Sequence, residues 1–128
     1  MSERSSAVLC LGSNTSARQM ILSNAIARLA CICDILKSSS VYEAPDDSGL
    51  GAPYLNVVMR VTTRFTLDDF RGCLKSLELE FGRNELSKST GCMPLDVDII
   101  LWNSEIVDRY QYSKDYFQKG FAELATDL

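Results

Sequence analysis

The chain has 128 residues, 46% of them hydrophobic and 23% charged, a composition that fits one globular domain with a single core and no second domain. Its net charge of −4 excludes a general nucleic-acid binder, and the absence of histidine excludes Ser-His and Cys-His triads, a histidine base and imidazole metal sites. No apolar stretch nears the roughly 20 residues that span a bilayer, and MSERSSAVLCLGSN is too briefly apolar for a secretory signal, so a cytoplasmic protein without a membrane partner is expected.

From the N-terminus, residues 7 to 12 (AVLCLG) read as a short buried strand. Ser13-Asn14-Thr15-Ser16 then offers N-cap candidates for a helix on which Ile21, Leu22, Ala25, Leu29 and Ile32 repeat at helical spacing. Ile35 to Tyr42 reads as a second strand, and EAPDDSGLGAP is a loop by its Gly, Pro and Asp content. YLNVVMRVTT, from Tyr54, is a β-branched third strand that sets Asn56, Val58 and Arg60 against Leu55, Val57 and Met59. Thr66-Leu-Asp-Asp69 resembles a capping box, and Leu67, Phe70, Leu74, Leu77 and Phe81 trace one helix face ending at Gly82. After the polar RNELSKSTG comes a strand, LDVDIILW, and then a less regular aromatic tail with a short helical FAELATDL. The order βαββαβ predicts an α+β, ferredoxin-like fold over residues 1–128: an antiparallel sheet with two helices on one face and the other face available to loops or a ligand. The five cysteines are odd in number and fit no zinc or CxxC pattern, which predicts reduced, mostly buried thiols.

In LDVDIILW, Leu95, Val97, Ile99 and Leu101 alternate as one apolar face, so Asp96 and Asp98 share the other face with Ile100 and Trp102. Aspartate is depleted in strands, and like charges roughly 7 Å apart at two strand rises repel unless water or a cation relieves them. Pattern alone leaves two readings open, the wet face of a half-buried strand and a metal platform.

LGSN at 11–14, SSVYEAP at 39–45, YLNVV at 54–58, LELEFGR at 77–83 and LDVDIILW at 95–102 resemble, in that order, the 6-hydroxymethyl-7,8-dihydropterin pyrophosphokinase family, with a fainter likeness at FAELATDL. The resemblance implies a ferredoxin-like core and transfer of the β,γ-diphosphate of ATP to the pterin hydroxymethyl group, a step of folate biosynthesis. It implies that Asp96 and Asp98 hold two Mg²⁺ ions that bridge the nucleotide phosphates. For the pterin it implies ring reading by Asn56, backbone contacts at Ala44 and Pro45, and a sandwich between Tyr54 and Tyr116. On the nucleotide side Glu78 matches a family position, while Arg83, Lys88, Arg109 and Lys114 are the candidates for positive charge near phosphates.

The chain departs from the family at the phosphate end. Where the family writes R-W-G-P-R-T-L-D-x-D, this chain has Ser89-Thr90-Gly91-Cys92-Met93-Pro94-Leu95-Asp96-Val97-Asp98. Met93 replaces an arginine that contacts the transferring phosphates, and a thioether lacks its forked charged donors. Glu85 replaces another arginine, and the L-T-V-P-H stretch is missing after Glu105-Ile106-Val107-Asp108. The first expectation is therefore an active or weakly active diphosphotransferase. A non-catalytic pterin- or nucleotide-binding paralogue comes second, and a purely structural ferredoxin-like protein third.

Overall fold

The structure, a computed structural model, describes residues 3–125. Its elements are β1 (Ser5–Ser13), α1 (Arg18–Leu29), β2 (Asp34–Ser38), β3 (Tyr42–Ala44), β4 (Tyr54–Thr63), α2 (Leu67–Glu80), α3 (Ser87–Thr90), β5 (Asp96–Trp102), β6 (Glu105–Ile106), α4 (Arg109–Tyr112) and α5 (Asp115–Ala125). The six strands pair antiparallel in the order β2-β4-β1-β5-β6, with β3 also on β4, and α1 and α2 pack on one face as the α+β, ferredoxin-like reading requires.

Alternation along the central strands builds that face. Leu9 and Leu11 of β1, Val57, Met59 and Val61 of β4, and Val97 and Ile99 of β5 point toward the helices and are buried with Leu95, which precedes β5. From α1 they meet Leu22, Ala25 and Leu29, and from α2 they meet Phe70, Leu74 and Leu77. Each fully buried side chain of this kind is worth about 1.5–3 kcal/mol of transfer free energy. Helix α2 starts where the sequence places it: the Thr66 Oγ1 accepts from the Asp69 N–H at 3.2 Å, and Asp68 and Asp69 lie at the positive end of the helix dipole. Helix α1 has no side-chain cap. Of the expected cap residues before it, Asn14 does other work, described below, and the buried Ser13 and Thr15 hydroxyls have no hydrogen-bond partner among the described residues.

The sequence-based elements need four corrections. The expected strand Ile35–Tyr42 is two, β2 and β3, divided at Ser39. That buried serine keeps both segments on β4, its N–H donating to the Val58 carbonyl at 2.8 Å and its Oγ accepting from the Val58 N–H at 2.9 Å. Next, β5 shifts register against β1 between Val8 and Leu9, so that Val8 faces Leu101 while Leu9 faces Ile99. Alternation therefore fails at Ile100: Leu101 joins Ile100 on the second sheet face, and Trp102 turns to the helix face, its ring 6.1 Å from that of Phe70. The tail is more regular than expected, forming β6, α4 and α5, and residues 126–128 of FAELATDL lie outside the described residues. Finally, Cys10 and Cys33 are buried, Cys73 is half-buried, and Cys31 and Cys92 are exposed free thiols.

Helix α5 covers part of the face expected to be open. Phe117 and Leu124 close over Val8, Cys10, Val58 and Ile100 in a second apolar cluster. Gly120 permits the approach, because a Cβ there would lie 2.5 Å from Val58 Cγ2 and 2.7 Å from the Tyr42 hydroxyl. What remains of this face, beyond the α5 cluster, is the site described next.

Candidate active site

Antiparallel register lines up side chains of β4, β1 and β5 in rows across the free part of the face. Gly12 is paired with Asn56 on one side and Asp96 on the other, and Cys10 is paired with Val58 and Asp98. Gly12 is the floor between the amide and the carboxylate: a Cβ there would sit 2.9 Å from Asn56 Oδ1 and 3.2 Å from the Tyr54 ring. Above it opens a cavity of about 440 Å³. Tyr54, Asn56, Asp96, Asp98, Pro45, Lys88 and Tyr116 all line it, together with Met93. Asn56 is only 5% exposed, and its carboxamide has no partner among the described residues. An amide that opens onto a cavity without a protein partner is available to a ligand.

Two loops wall the cavity, and Asn14 ties them together. Its Nδ2 donates to the carbonyls of Ala52 (3.0 Å) and Gly91 (2.8 Å), and its Oδ1 accepts from the Met93 N–H at 2.6 Å. A single asparagine at the end of β1 thereby joins the β3–β4 loop to the segment that leads into β5. The opposite wall is the turn of α4, where Asp108 accepts from the Gln111 N–H at 3.0 Å. The β3–β4 loop reaches that wall through Asp47, which accepts from the Tyr110 hydroxyl at 2.8 Å and pairs with Lys114 at 3.2 Å.

The electrostatics are acidic. Asp46, Asp47, Asp96 and Asp98 line the cavity, and Lys88 is the basic residue among its walls. Burial, and then the Asp96 carboxyl within hydrogen-bonding reach, push the Asp98 carboxyl up to about 8. Burial likewise pushes the Tyr54 hydroxyl up to about 12 and the Cys10 thiol further still. Arg83 stands behind the pair, its guanidinium 2.7 Å from Glu78 and 2.9 Å from Asp96. Glu78 is itself buried and accepts from the Val97 N–H at 2.8 Å; burial raises its carboxyl, opposed by that N–H and by Arg83.

Two adjacent carboxyls that repel, in a site offering oxygen donors, suit a hard divalent cation, and two carboxylates completed by substrate oxygens and water are what Mg²⁺ accepts. Among the described residues no group of three or more Cys, Asp or Glu side chains forms a closed metal cage. The donor set therefore fits a cation that arrives with an anionic substrate.

The structure does not bring every sequence candidate to this cavity. Glu78 and Arg83 are absent from its lining and act on Asp96 and β5 from behind. Ala44 and Lys114 line a neighbouring hollow of about 510 Å³ that shares Pro45 and Tyr116 with the first. Arg109 is exposed in α4 and lines neither. Sequence reasoning missed Gly12, Cys10, Asp47, Tyr110 and Gln111. The first two follow from strand register rather than from any local motif. The last two sit on α4, whose start is signalled by the Asp-x-x-Gln spacing of Asp108 and Gln111.

The sequence profile of the 7,8-dihydro-6-hydroxymethylpterin-pyrophosphokinase family matches residues 8–126. A 2-amino-4-hydroxy-6-hydroxymethyldihydropteridine pyrophosphokinase of Aquifex aeolicus (strain VF5) is 32% identical over 103 residues, covering 77% of this chain and 62% of that protein. The chain thus spans less than two thirds of that relative's length. With a match running from β1 through α5, and with the motifs that resemble the family gathered around one cavity, the chain belongs to the 7,8-dihydro-6-hydroxymethylpterin-pyrophosphokinase family.

Proposed function

We propose that the protein moves the terminal diphosphate of ATP onto the hydroxymethyl group of 6-hydroxymethyl-7,8-dihydropterin, as a cytoplasmic enzyme of folate biosynthesis. The observation that carries this reading is the row Asn56–Gly12–Asp96, which sets an amide without a protein partner one glycine away from a paired-carboxylate site inside one cavity. Family membership agrees with it.

Asn56 reads the amide edge of the pterin, for which its free carboxamide supplies both donors and an acceptor. Tyr54 and Tyr116 offer ring faces to the flat heterocycle, and Pro45 approaches it with backbone, while Ala44 supports that segment from the neighbouring hollow. Asp96 and Asp98 would hold Mg²⁺, two ions with ATP, whose role when bound is to offset phosphate charge. In the reaction the pterin hydroxymethyl oxygen bonds to the β-phosphorus, the bond from that phosphorus to the α-phosphate oxygen breaks, AMP leaves, and the hydroxyl proton passes to solvent.

The remaining residues position this centre. Arg83 holds Asp96 from behind while Glu78 pins β5 through the Val97 N–H, so both act on the carboxylate platform rather than on the nucleotide directly. Lys88 is the basic side chain that reaches the phosphates from α3. Lys114 and Arg109 act farther out, Lys114 after release from Asp47. Met93 brings no charge to the cavity it lines, so phosphate charge falls to the cations and Lys88.

The test is to incubate the purified protein with ATP, MgCl₂ and 6-hydroxymethyl-7,8-dihydropterin and to separate the products. The reading requires pterin-dependent AMP, one for each diphosphorylated pterin. ADP as the product, or nucleotide breakdown indifferent to pterin, contradicts it.

A further inference from the structure

Arg83 braces the carboxylate half of the cavity from behind, and a second arginine does the same for the half that holds Tyr54. Arg18 opens α1 on the helix side of the sheet and is absent from the cavity lining. Its guanidinium forks: Nη1 donates to the Pro53 carbonyl at 2.7 Å, and Nη2 donates to Glu43 Oε2 at 2.6 Å. These partners stand on opposite stems of the β3–β4 loop, Glu43 within β3 and Pro53 directly before Tyr54. The last backbone pair of that ladder is Ala44 with Tyr54, so the arginine bridges the stems where strand pairing ends. Strand β3 has only three residues, the short limit for a strand, and gains little hold on the loop from its own ladder. Asn14 Nδ2 holds the preceding carbonyl, that of Ala52, at 3.0 Å, so both carbonyls before Tyr54 are pinned from the β1–α1 segment. Helix energetics do not explain an arginine here: a cation in the first turn faces the positive end of the helix dipole, and α1 has no acidic residue in that turn. Glu43, reaching over from β3, supplies the opposing charge.

We propose that Arg18 is a positioning residue for the pterin: by clamping both stems of the β3–β4 loop it fixes Tyr54 and Pro45 without touching the ligand. The inference rests on the reading of the cavity as a pterin site. A Cβ on Gly12 would lie 3.2 Å from the Tyr54 ring and 2.9 Å from Asn56 Oδ1, so ring and amide share one floor, and a displaced stem would move one against the other. A stacking face and an edge-reading amide serve one flat ligand only at a fixed separation, and a stem ordered beforehand loses less freedom when the ligand arrives. The planar fork suits the task, because two N–H groups diverge to a carboxylate and a carbonyl on different stems, a geometry that the point charge of a lysine does not reproduce. The cation carboxylates lie on β5, which has its own arginine in Arg83, so the clamp serves one substrate and not the other.

Two measurements on wild type, Arg18→Met, Glu43→Ala and the double variant test this, each made well below the lowest melting temperature of the set. In the first, calorimetric titration with 6-hydroxymethylpterin, in Mg²⁺ and a non-hydrolysable ATP analogue, should show Arg18→Met weakened roughly 3- to 10-fold, the scale of one group left to be ordered on binding. Glu43→Ala should be weakened by about 2- to 5-fold, the scale of an exposed ion pair. The double variant should be no weaker than Arg18→Met, because Glu43 acts through that arginine. In the second, the thermal shift produced by Mg²⁺ with the ATP analogue alone should stay at the wild-type value in every variant. A merely structural Arg18 would lower the ligand-free melting temperature and leave the pterin affinity of the folded protein unchanged, a result that overturns the proposal. Full additivity of the two changes overturns it, as does a nucleotide response that falls in step with pterin affinity. Should Arg18→Met fail to fold, Glu43→Ala still decides: unchanged pterin affinity overturns the proposal. Absence of pterin binding to the wild type overturns the pterin reading, and this inference with it.

Discussion

The two faces of the sheet are made by the same three central strands and differ in what every second residue does. On the helix face Leu9, Leu11, Val57, Met59, Val61, Leu95, Val97 and Ile99 form one continuous buried layer under α1 and α2. On the other face the strands begin the same way, with Val8, Cys10, Val58 and Ile100 under α5, and then change to Gly12, Asn56, Asp96 and Asp98 toward one end. The first face needs only apolar shape, so it carries the stability. The second holds an amide without a protein partner and a repelling carboxyl pair, and such a pair costs stability that a bound cation would restore. Substitutions on the two faces should therefore separate into those that unfold the protein and those that leave it folded and unable to bind.

The largest effect belongs to the helix face. Phe70 is fully buried, its ring stacked on that of Phe65 and tilted 43° against Trp102, and Phe70→Ala should cost about 3–5 kcal/mol of stability in denaturant unfolding. Below its lower melting temperature the variant should bind pterin like wild type; a loss of affinity in the folded variant would break the separation of the faces.

Next in size is the pH response of the ligand-free protein. The Asp98 carboxyl is held up to about 8 in the folded state against about 3.9 when unfolded, so the folded state binds the extra proton between those values. Its stabilising contribution is full below about pH 4 and is lost as pH rises through about 8. Melting temperature measured against pH should fall across that window by less in Asp98→Asn than in wild type, and equal slopes would contradict the buried-pair account.

Asn56→Ala sharpens the comparison on the site face. It should weaken pterin binding by about 1–3 kcal/mol in calorimetry while changing unfolding little, because the amide has no protein partner to lose. Smallest is the cap of α2, far from the cavity: Thr66→Ala should lower stability by about 1 kcal/mol with no change in any ligand response.

Much of the helix face was legible because its signals are local. Thr66-Leu-Asp-Asp69 caps α2 as read, and period-two alternation in YLNVVMRVTT and LDVDI matches the faces on which those residues lie as far as Ile99. Beyond Ile99 the reading fails because the register shift arises in the pairing of β1 with β5, residues about 90 positions apart in the chain, and nothing in IILW announces it. The cover provided by α5 was missed for a similar reason: Phe117, Gly120 and Leu124 look like an ordinary helix face until the sheet beneath them is in place. Asn14 illustrates a third cause. A short polar residue before a helix reads as a cap, but here its amide finds better partners in two distant loops, at Ala52, Gly91 and Met93. In the site, the pterin-side candidates Tyr54, Asn56 and Tyr116 converge on the cavity, whereas the candidate charges Arg83, Lys114 and Arg109 fall behind or beside it. Backbone register fixes a strand residue within the fold, while the direction of a long, flexible cation depends on whichever carboxylate is nearest, which the sequence does not display.

The central claim is that Asp96 and Asp98 are a cation platform shared with a polyphosphate, and a thermal-shift series on wild type, Asp96→Asn and Asp98→Asn tests it most directly. Mg²⁺ alone should move the wild-type melting temperature little, and Mg²⁺ with a non-hydrolysable ATP analogue should raise it by linkage. Either asparagine should abolish that rise, with the ligand-free Asp98→Asn protein as stable as wild type or slightly more so at neutral pH. An identical response in all three proteins would contradict the platform and return the pair to a merely wet strand face.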